Sequence, residues 1–357
     1  MSTQVRQISF RGHQIYVGLD VHKNSWQVSI LLNEISQKTF HMSPGEPEAL
    51  KAHLKQYYPD GEYHCAYESG FCGFWIQEEL TRLGIHTSVY HASDIPTTDK
   101  EKRQKTDKRD SLKIAKALRQ SDCEAIYVPD KAQQKARSLV RQRESLVKDR
   151  QRIMHRIKGH LNYYGIACEA LEWRQEWSGK HIQWLERQAE QQQDQALNWM
   201  LKELAVLRKL EKEILQHLRE LSKTDHYKTA MSLLISVPGV GLLSALVILT
   251  EIGLDFKRFG KFDRLCAYCG LMPDTDSSGE QERVGDISSR GNRRLRRILI
   301  ECAWAAVKRD PELALAYCAF KKRMAGQKAI VKIARKLLNR IRRVLIKKEK
   351  YTLSQAQ

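Results

Sequence analysis

The chain has 357 residues, enough for two or three domains with buried cores. It carries 61 Lys+Arg against 42 Asp+Glu, a formal charge of +19, with 42% hydrophobic residues. That balance excludes a disordered chain and favours polyanionic partners, nucleic acid before anionic membrane, and no apolar run is long enough to span a bilayer.

In chain order, IYVGLDVHKNSWQVSILL alternates and is rich in β-branched and aromatic residues, which predicts two strands joined by a turn near His22–Asn24. Asp20 ends the first strand. EPEALKAHLKQYY has helical periodicity, and EYHCAYESG reads as a short buried strand stopping at Glu68, Ser69 and Gly70. The helix FWIQEELTRLG and the strand IHTSVYHA follow, then a polar connection and a helix from Asp110 to Arg119. Strands alternating with helices over about the first 120 residues predict an α/β domain.

From Pro129 to Ser222 the pattern changes. Leu139, Leu146 and Ile153 recur every seven residues and Ile157 and Leu161 extend the stripe. Leu197, Leu204 and Leu218 interleave with Met200, Leu207, Ile214 and Leu221 further on. Such spacing with charged flanks predicts long helices, paired either within the chain or between chains as a coiled coil. LISVPGVGLLSALVILTEIG then places apolar helices around Pro-Gly-Val-Gly, and residues 321–348 form a basic helix with twelve Lys/Arg and no acid. The expected segments are 1–125 (α/β), 126–225 (helical linker or oligomerisation segment), 226–320 (mostly α-helical) and 321–357 (a basic helical tail).

The eight cysteines are scattered instead of forming a small framework, which fits a reducing compartment. The leading residues MSTQVRQISFRGHQIY lack the apolar centre of a signal peptide, so the expectation is a cytoplasmic protein. Cys266 and Cys269 stand as Cys-x-x-Cys without a second pair, and read as core cysteines of a helix.

The acids carry the first candidate chemistry. KTDKRDSLKIAKALRQ holds Asp107 and Asp110 three residues apart among lysines and arginines. On a helix such a pair lies on one face, with Cβ atoms about 5–6 Å apart. Local ion pairing on a solvated face explains an isolated pair. Joined to Asp20 and Glu68 at strand ends, four carboxylates can converge on one sheet edge as oxygen ligands for a hard divalent ion. Lys105, Lys108 and Arg109 then form the rim of a nucleic-acid groove.

Two further stretches follow. Gly239 and Gly241 lie in a turn between helices, where glycine lets backbone N–H groups approach a phosphate, in the manner of a helix-hairpin-helix; a plain packing turn has the same sequence. In GLMPDTDSSGEQERVGDISSRGNRRLRR, Ser277 and Ser278 occupy a polar turn-forming stretch, and Arg290, Arg293, Arg294, Arg296 and Arg297 fall within eight residues at a helix start. The arginines can neutralise phosphates without reading sequence, and a serine among them can attack phosphorus or serve only as a turn residue.

Taken together, GLDVHK, YESG, KTDKRDS, VPGVG, AYCGLMP and SSG…GDISSRGNRRLRR resemble, in order and over about residues 15–310, the DEDD-type transposases of insertion sequences. These are also described as bridge-RNA-guided serine recombinases, with pilin-gene invertases as relatives. The resemblance implies an N-terminal ribonuclease-H-like (RuvC-like) domain in which Asp20, Glu68, Asp107 and Asp110 bind Mg²⁺. It also implies a coiled-coil segment and a C-terminal transposase domain whose serine becomes joined to DNA. That serine maps to Ser278, before Gly279, with Ser277 adjacent. Donor and target DNA, a non-coding guide RNA and a homodimer or homotetramer are the implied partners, in a bacterial or archaeal cytoplasm. One departure is Ser288-Ser289, where the family commonly has Ser-Lys. A junction-resolving nuclease using metal-activated water and a non-catalytic nucleic-acid-binding protein remain the alternatives.

Overall fold

The computed structural model describes residues 8–96, 106–167, 177–278, 281–288 and 290–353; side chains of 37, 274–278, 281–284 and 286 are not described. Lys105 therefore lies outside the described residues, and the serine pair is described in its backbone alone. The chain divides into two units, Met1–Val128 and Pro129–Gln357.

The first unit is a five-stranded sheet with helices on both faces. Its strands are β1 (Gln14–Val21), β2 (Trp26–Leu32), β3 (Ile35–Met42), β4 (Glu62–Glu68) and β5 (His86–Tyr90), in the order β3-β2-β1-β4-β5. The β1, β2 and β3 pairs are antiparallel, whereas β4 and β5 run parallel to β1. This mixed order fits the ribonuclease-H-like expectation. Alternation assigns the faces. Ile15, Val17 and Leu19 pack with Leu50 and Leu54 of α1 (Pro47–Tyr57) and Ile76 and Leu80 of α2 (Trp75–Arg82). The other face presents Gly18, Ser29 and Ala66 to α3 (Asp107–Gln120). The sequence reading did not anticipate β3; ISQKTFHM is an exposed edge strand, and its polar content hides the alternation. The helix read from Asp110 begins at Asp107, so both aspartates belong to its first turn.

The second unit is mostly helical. Its longest helices, α4 (Lys131–Tyr163) and α6 (Gln195–Lys223), pair antiparallel within the chain. Ile153, Ile157 and Leu161 meet Leu197, Met200 and Leu204 in one cluster, whereas Val140, farther back on α4, lies with Leu218 in another. Glu211 holds Arg150 at 2.7 Å and Glu203 holds Arg156 at 3.1 Å, in the same register. Asp130 and Asp194 cap the two helices by accepting backbone N–H groups of Gln133 and Leu197. Between them, α5 (Gly179–Gln191) packs on α6.

The rest of the unit comprises α7 (Lys228–Ile235), α8 (Leu242–Ile252), α9 (Phe262–Tyr268), a hairpin of β6 (Pro273–Ser278) and β7 (Gln281–Ile287), then α10 (Arg293–Val307), α11 (Pro311–Lys321) and α12 (Gly326–Lys347). Cys266 and Cys269 are buried in the core, and burial pushes both thiols up, away from the thiolate a metal needs. The basic segment expected as a tail is a core helix: Ile330, Ile333, Leu337, Leu338, Ile341 and Val344 of α12 are buried, because its apolar residues recur at helical spacing opposite the cations.

Candidate active site

Asp20 and Glu68 stand at the C-terminal edge of the parallel strands, where the first turn of α3 also arrives. The β1–β4 ladder runs from Gln14↔Glu62 to Leu19↔Tyr67, so Asp20 and Glu68 stand side by side one step beyond it. Both lie on the face carrying Gly18 and Ala66, the face that α3 covers. Across that face α3 is fixed by contact at Gly18 and by the buried Ser29–Ser111 hydroxyl pair at 2.8 Å. Its first turn, with Asp107 and Asp110, therefore ends beside Asp20.

The distances define a cluster. His22 Nε2 lies 3.4 Å from an Asp20 carboxylate oxygen and 3.3 Å from one of Asp107. One ligand atom from each of Asp20, His22 and Asp107 falls within 4.8 Å of the others. Asp20 is a quarter exposed and Asp107 mostly exposed, so the cluster opens to solvent. Asp110 is held differently, 3.3 Å from Lys113 Nζ on its own helix. Glu68 is exposed at its strand end. Thus Asp20 and Asp107 come together directly, Glu68 flanks Asp20, and Asp110 sits one turn along with a cation of its own. His22 was missed as a member of the cluster; the signal was its place two residues after Asp20 in a tight turn. Carboxylate oxygens suit a hard divalent ion, and the imidazole nitrogen also admits Mn²⁺ or Zn²⁺, so the donor set fits a divalent cation. Lys108 and Arg109 are exposed on the same first turn.

In the second unit the glycines separate. Gly239, at φ +85°, has its Cα against α10; a Cβ there would lie 2.3 Å from the Cys302 carbonyl oxygen. It is a close-packing glycine, as the packing-turn reading of this stretch expects. Gly241 precedes α8 with open space around it. The arginines separate too. Arg294 and Arg297 bind the two oxygens of Glu144 at 2.9 and 2.8 Å, a carboxylate almost fully buried on α4. Arg296 donates to the carbonyls of Ser288 and Arg290. Arg290 and Arg293 are exposed. Three of the five arginines thus have internal partners, and two point outward.

Behind them lies Glu251, 1% exposed on α8, which sequence reasoning did not single out. Arg141 donates to both its oxygens at 2.7 and 2.8 Å, and Asn292, the N-cap of α10, donates at 2.8 Å. Burial by itself raises this carboxyl, but the Arg141 hydrogen bonds and charge, with Asn292 and Arg137, outweigh it and hold the group below the usual carboxylate range. A lone acid inside the apolar LLSALVILTEI was the available signal.

Two family models match the chain: one described as Transposase over residues 17–166, the other as Transposase IS116/IS110/IS902 family over residues 231–318. Over these two stretches the chain is similar to the IS110/IS116 transposases. The first match contains all four acids of this chain; the second contains both glycines, both serines and the five arginines. Among curated relatives, a Sinorhizobium fredii protein named as transposase y4qE is 28% identical over 82% of this chain and 71% of its own length. The transposase for insertion sequence element IS1533 of Leptospira borgpetersenii is 26% identical over 82% of this chain and 85% of its own. The transposase for insertion sequence element IS1111A of Coxiella burnetii is 29% identical, covering 58% of this chain and 56% of its own. No helix among the described residues is long and apolar enough to cross a membrane.

Proposed function

We propose that this chain is a transposase that mobilises an insertion sequence by breaking and rejoining DNA strands, with Mg²⁺ held by Asp20, Glu68, Asp107 and Asp110 and with Ser278 as the nucleophile. The observation that carries the metal assignment is the gathering of Asp20, His22 and Asp107 ligand atoms within 4.8 Å, with Glu68 on the adjoining strand end. A divalent ion bound there supplies charge stabilisation to a phosphodiester. Asp20 and Asp107 hold it, while Lys108 and Arg109 neutralise neighbouring phosphates along the rim. Arg290 and Arg293 offer further phosphate contacts past the base of the β6–β7 hairpin, whose tip carries Ser278.

The Ser278 hydroxyl loses its proton as its oxygen bonds to phosphorus. The bond from phosphorus to the leaving sugar oxygen breaks, and that oxygen takes up a proton. The serine–DNA ester keeps the bond energy, so attack by a sugar hydroxyl rejoins the strand without an outside energy source. The net charge of +19 supports binding of polyanions; in this proposal they are donor DNA, target DNA and a non-coding guide RNA, held by a homodimer or homotetramer. Cutting by metal-activated water is the competing reading, favoured by the acids gathering within the first unit.

The test is a denaturing gel of purified protein with supercoiled DNA carrying the element and its flanking RNA. The wild type and Ser277→Ala are expected to yield a covalent protein–DNA adduct, and Ser278→Ala and Asp20→Asn none. Cutting by Ser278→Ala without an adduct would establish water as the nucleophile. Unchanged recombination by Asp20→Asn would sink the metal assignment.

A further inference from the structure

The basic face of α12 and the segment after it line a cleft of about 450 Å³. Lys336, Arg340, Arg343 and Lys347 reach it from the helix and Lys350 from beyond its end. Steps of three and four residues put the helical cations on one face, and the opposite face is buried in the core.

Arg340 differs from the rest. It pairs with Asp310 and, at 2.7 Å, with Glu312, and its guanidinium lies 5.2 Å from the centre of the Tyr351 ring. Tyr351 in turn donates its hydroxyl to Asp310 at 2.7 Å and its backbone N–H to Ser236 Oγ at 2.8 Å. The chain after α12 is thereby tied to the body of the unit and forms a fixed wall. Lys336, Arg343, Lys347 and Lys350 are exposed along the cleft. Glu312 is engaged by Arg340, so Glu349 is the remaining acid of the lining against four cations.

We infer that this cleft docks the phosphodiester backbone of a nucleic acid, as a second contact built from residues outside the acid set. A lipid surface does not fit: a basic amphipathic helix binds membranes by inserting its apolar face, and the apolar face of α12 is already buried. A lone phosphate does not fit either, because Lys336 to Lys347 spans about 16 Å of helix axis, the reach of several phosphates on one strand. Cations dominate the lining, so the cleft sets grip and register chiefly on the backbone.

The experiment is fluorescence-anisotropy titration of the full chain across a salt series. Metal is chelated, so that failure of the cleavage chemistry leaves this result untouched. The probes are a duplex DNA and a duplex RNA of equal length. The variant Lys336→Gln/Arg343→Gln/Lys347→Gln is compared with Lys202→Gln/Lys209→Gln/Lys212→Gln, three exposed lysines on α6. The α12 variant is expected to flatten the slope of log affinity against log salt by about 2.7 on DNA. Over a fourfold rise in salt the wild type then loses about 40-fold more affinity than the variant. The α6 variant keeps the wild-type slope. Flattening with one probe alone names that nucleic acid as the occupant, and flattening with both names the shared backbone. Equal flattening by the two variants, or none by the α12 variant, would overturn the inference. The single variant Arg343→Gln, expected to remove about one unit of slope, serves if the triple variant melts early.

Discussion

At Gly18 a Cβ would sit 2.0 Å from the Ser111 carbonyl oxygen and 2.5 Å from the Ala115 amide nitrogen, so α3 crosses β1 with backbone against backbone. That approach brings the first turn of α3 to Asp20. Gly18→Ala should force the helix outward and cost about 1–3 kcal/mol in a urea denaturation curve. Mn²⁺ affinity should fall in the same variant, since Asp107 moves with the helix. His22 makes a complementary case. Its imidazole touches both aspartates, so His22→Ala should weaken Mn²⁺ binding by about tenfold, read by titration calorimetry, and Mg²⁺ binding less. Equal affinities in wild type and variant would remove His22 from the site. Asp20, Glu68, Asp107 and Asp110 could be named from the sequence because acids at strand ends and helix starts are local features. The pairing of Asp110 with Lys113 and the approach of His22 could not, because each depends on the rotamer chosen in the folded unit.

Among the elements, α4, α8 and α10 are joined by two buried carboxylates. Glu251 ties α8 to Arg141 of α4 and to the cap of α10, and Glu144 ties α4 to Arg294 and Arg297 of α10. Glu251→Ala leaves Arg141 and Asn292 facing an empty carboxylate site and should cost about 3–5 kcal/mol in chemical denaturation. The pH dependence has a definite sign. The folded pKa of Glu251 is depressed, so its contribution is full above the unfolded carboxylate value and is lost as pH falls through the lower folded value. Melting temperature should therefore drop on the acid side, and Glu251→Gln should flatten that limb while lowering the plateau. The helices themselves were legible as heptads, since a seven-residue stripe is a property of consecutive residues. Their antiparallel pairing within the chain was not, because the same stripe serves a partner molecule equally well.

For the whole molecule, each unit has its own core: sheet, α1 and α2 in one, and α4 and α6 with α7 through α12 in the other. Residues 129–357 expressed alone should fold, with a helical far-UV spectrum and a single thermal transition. An unfolded product would show that the second core depends on the first unit. Inside that core, α12 carries cations on one side and core residues on the other. Composition reported its charge and missed its structural share, because a count of Lys and Arg is blind to the face each one occupies.

By itself the sequence determined the alternation of strands and helices, the long helical middle, the basic charge and the placing of four acids at strand ends and a helix start, all set by side-chain period and type over short spans. Tertiary structure alone decided which groups meet. Glu144 and Arg297 are far apart in the chain yet 2.8 Å apart in space, and Gly239 serves α10 because two backbones cross there. Such encounters follow from how helices cross and sheets twist, and no window of neighbouring residues encodes them.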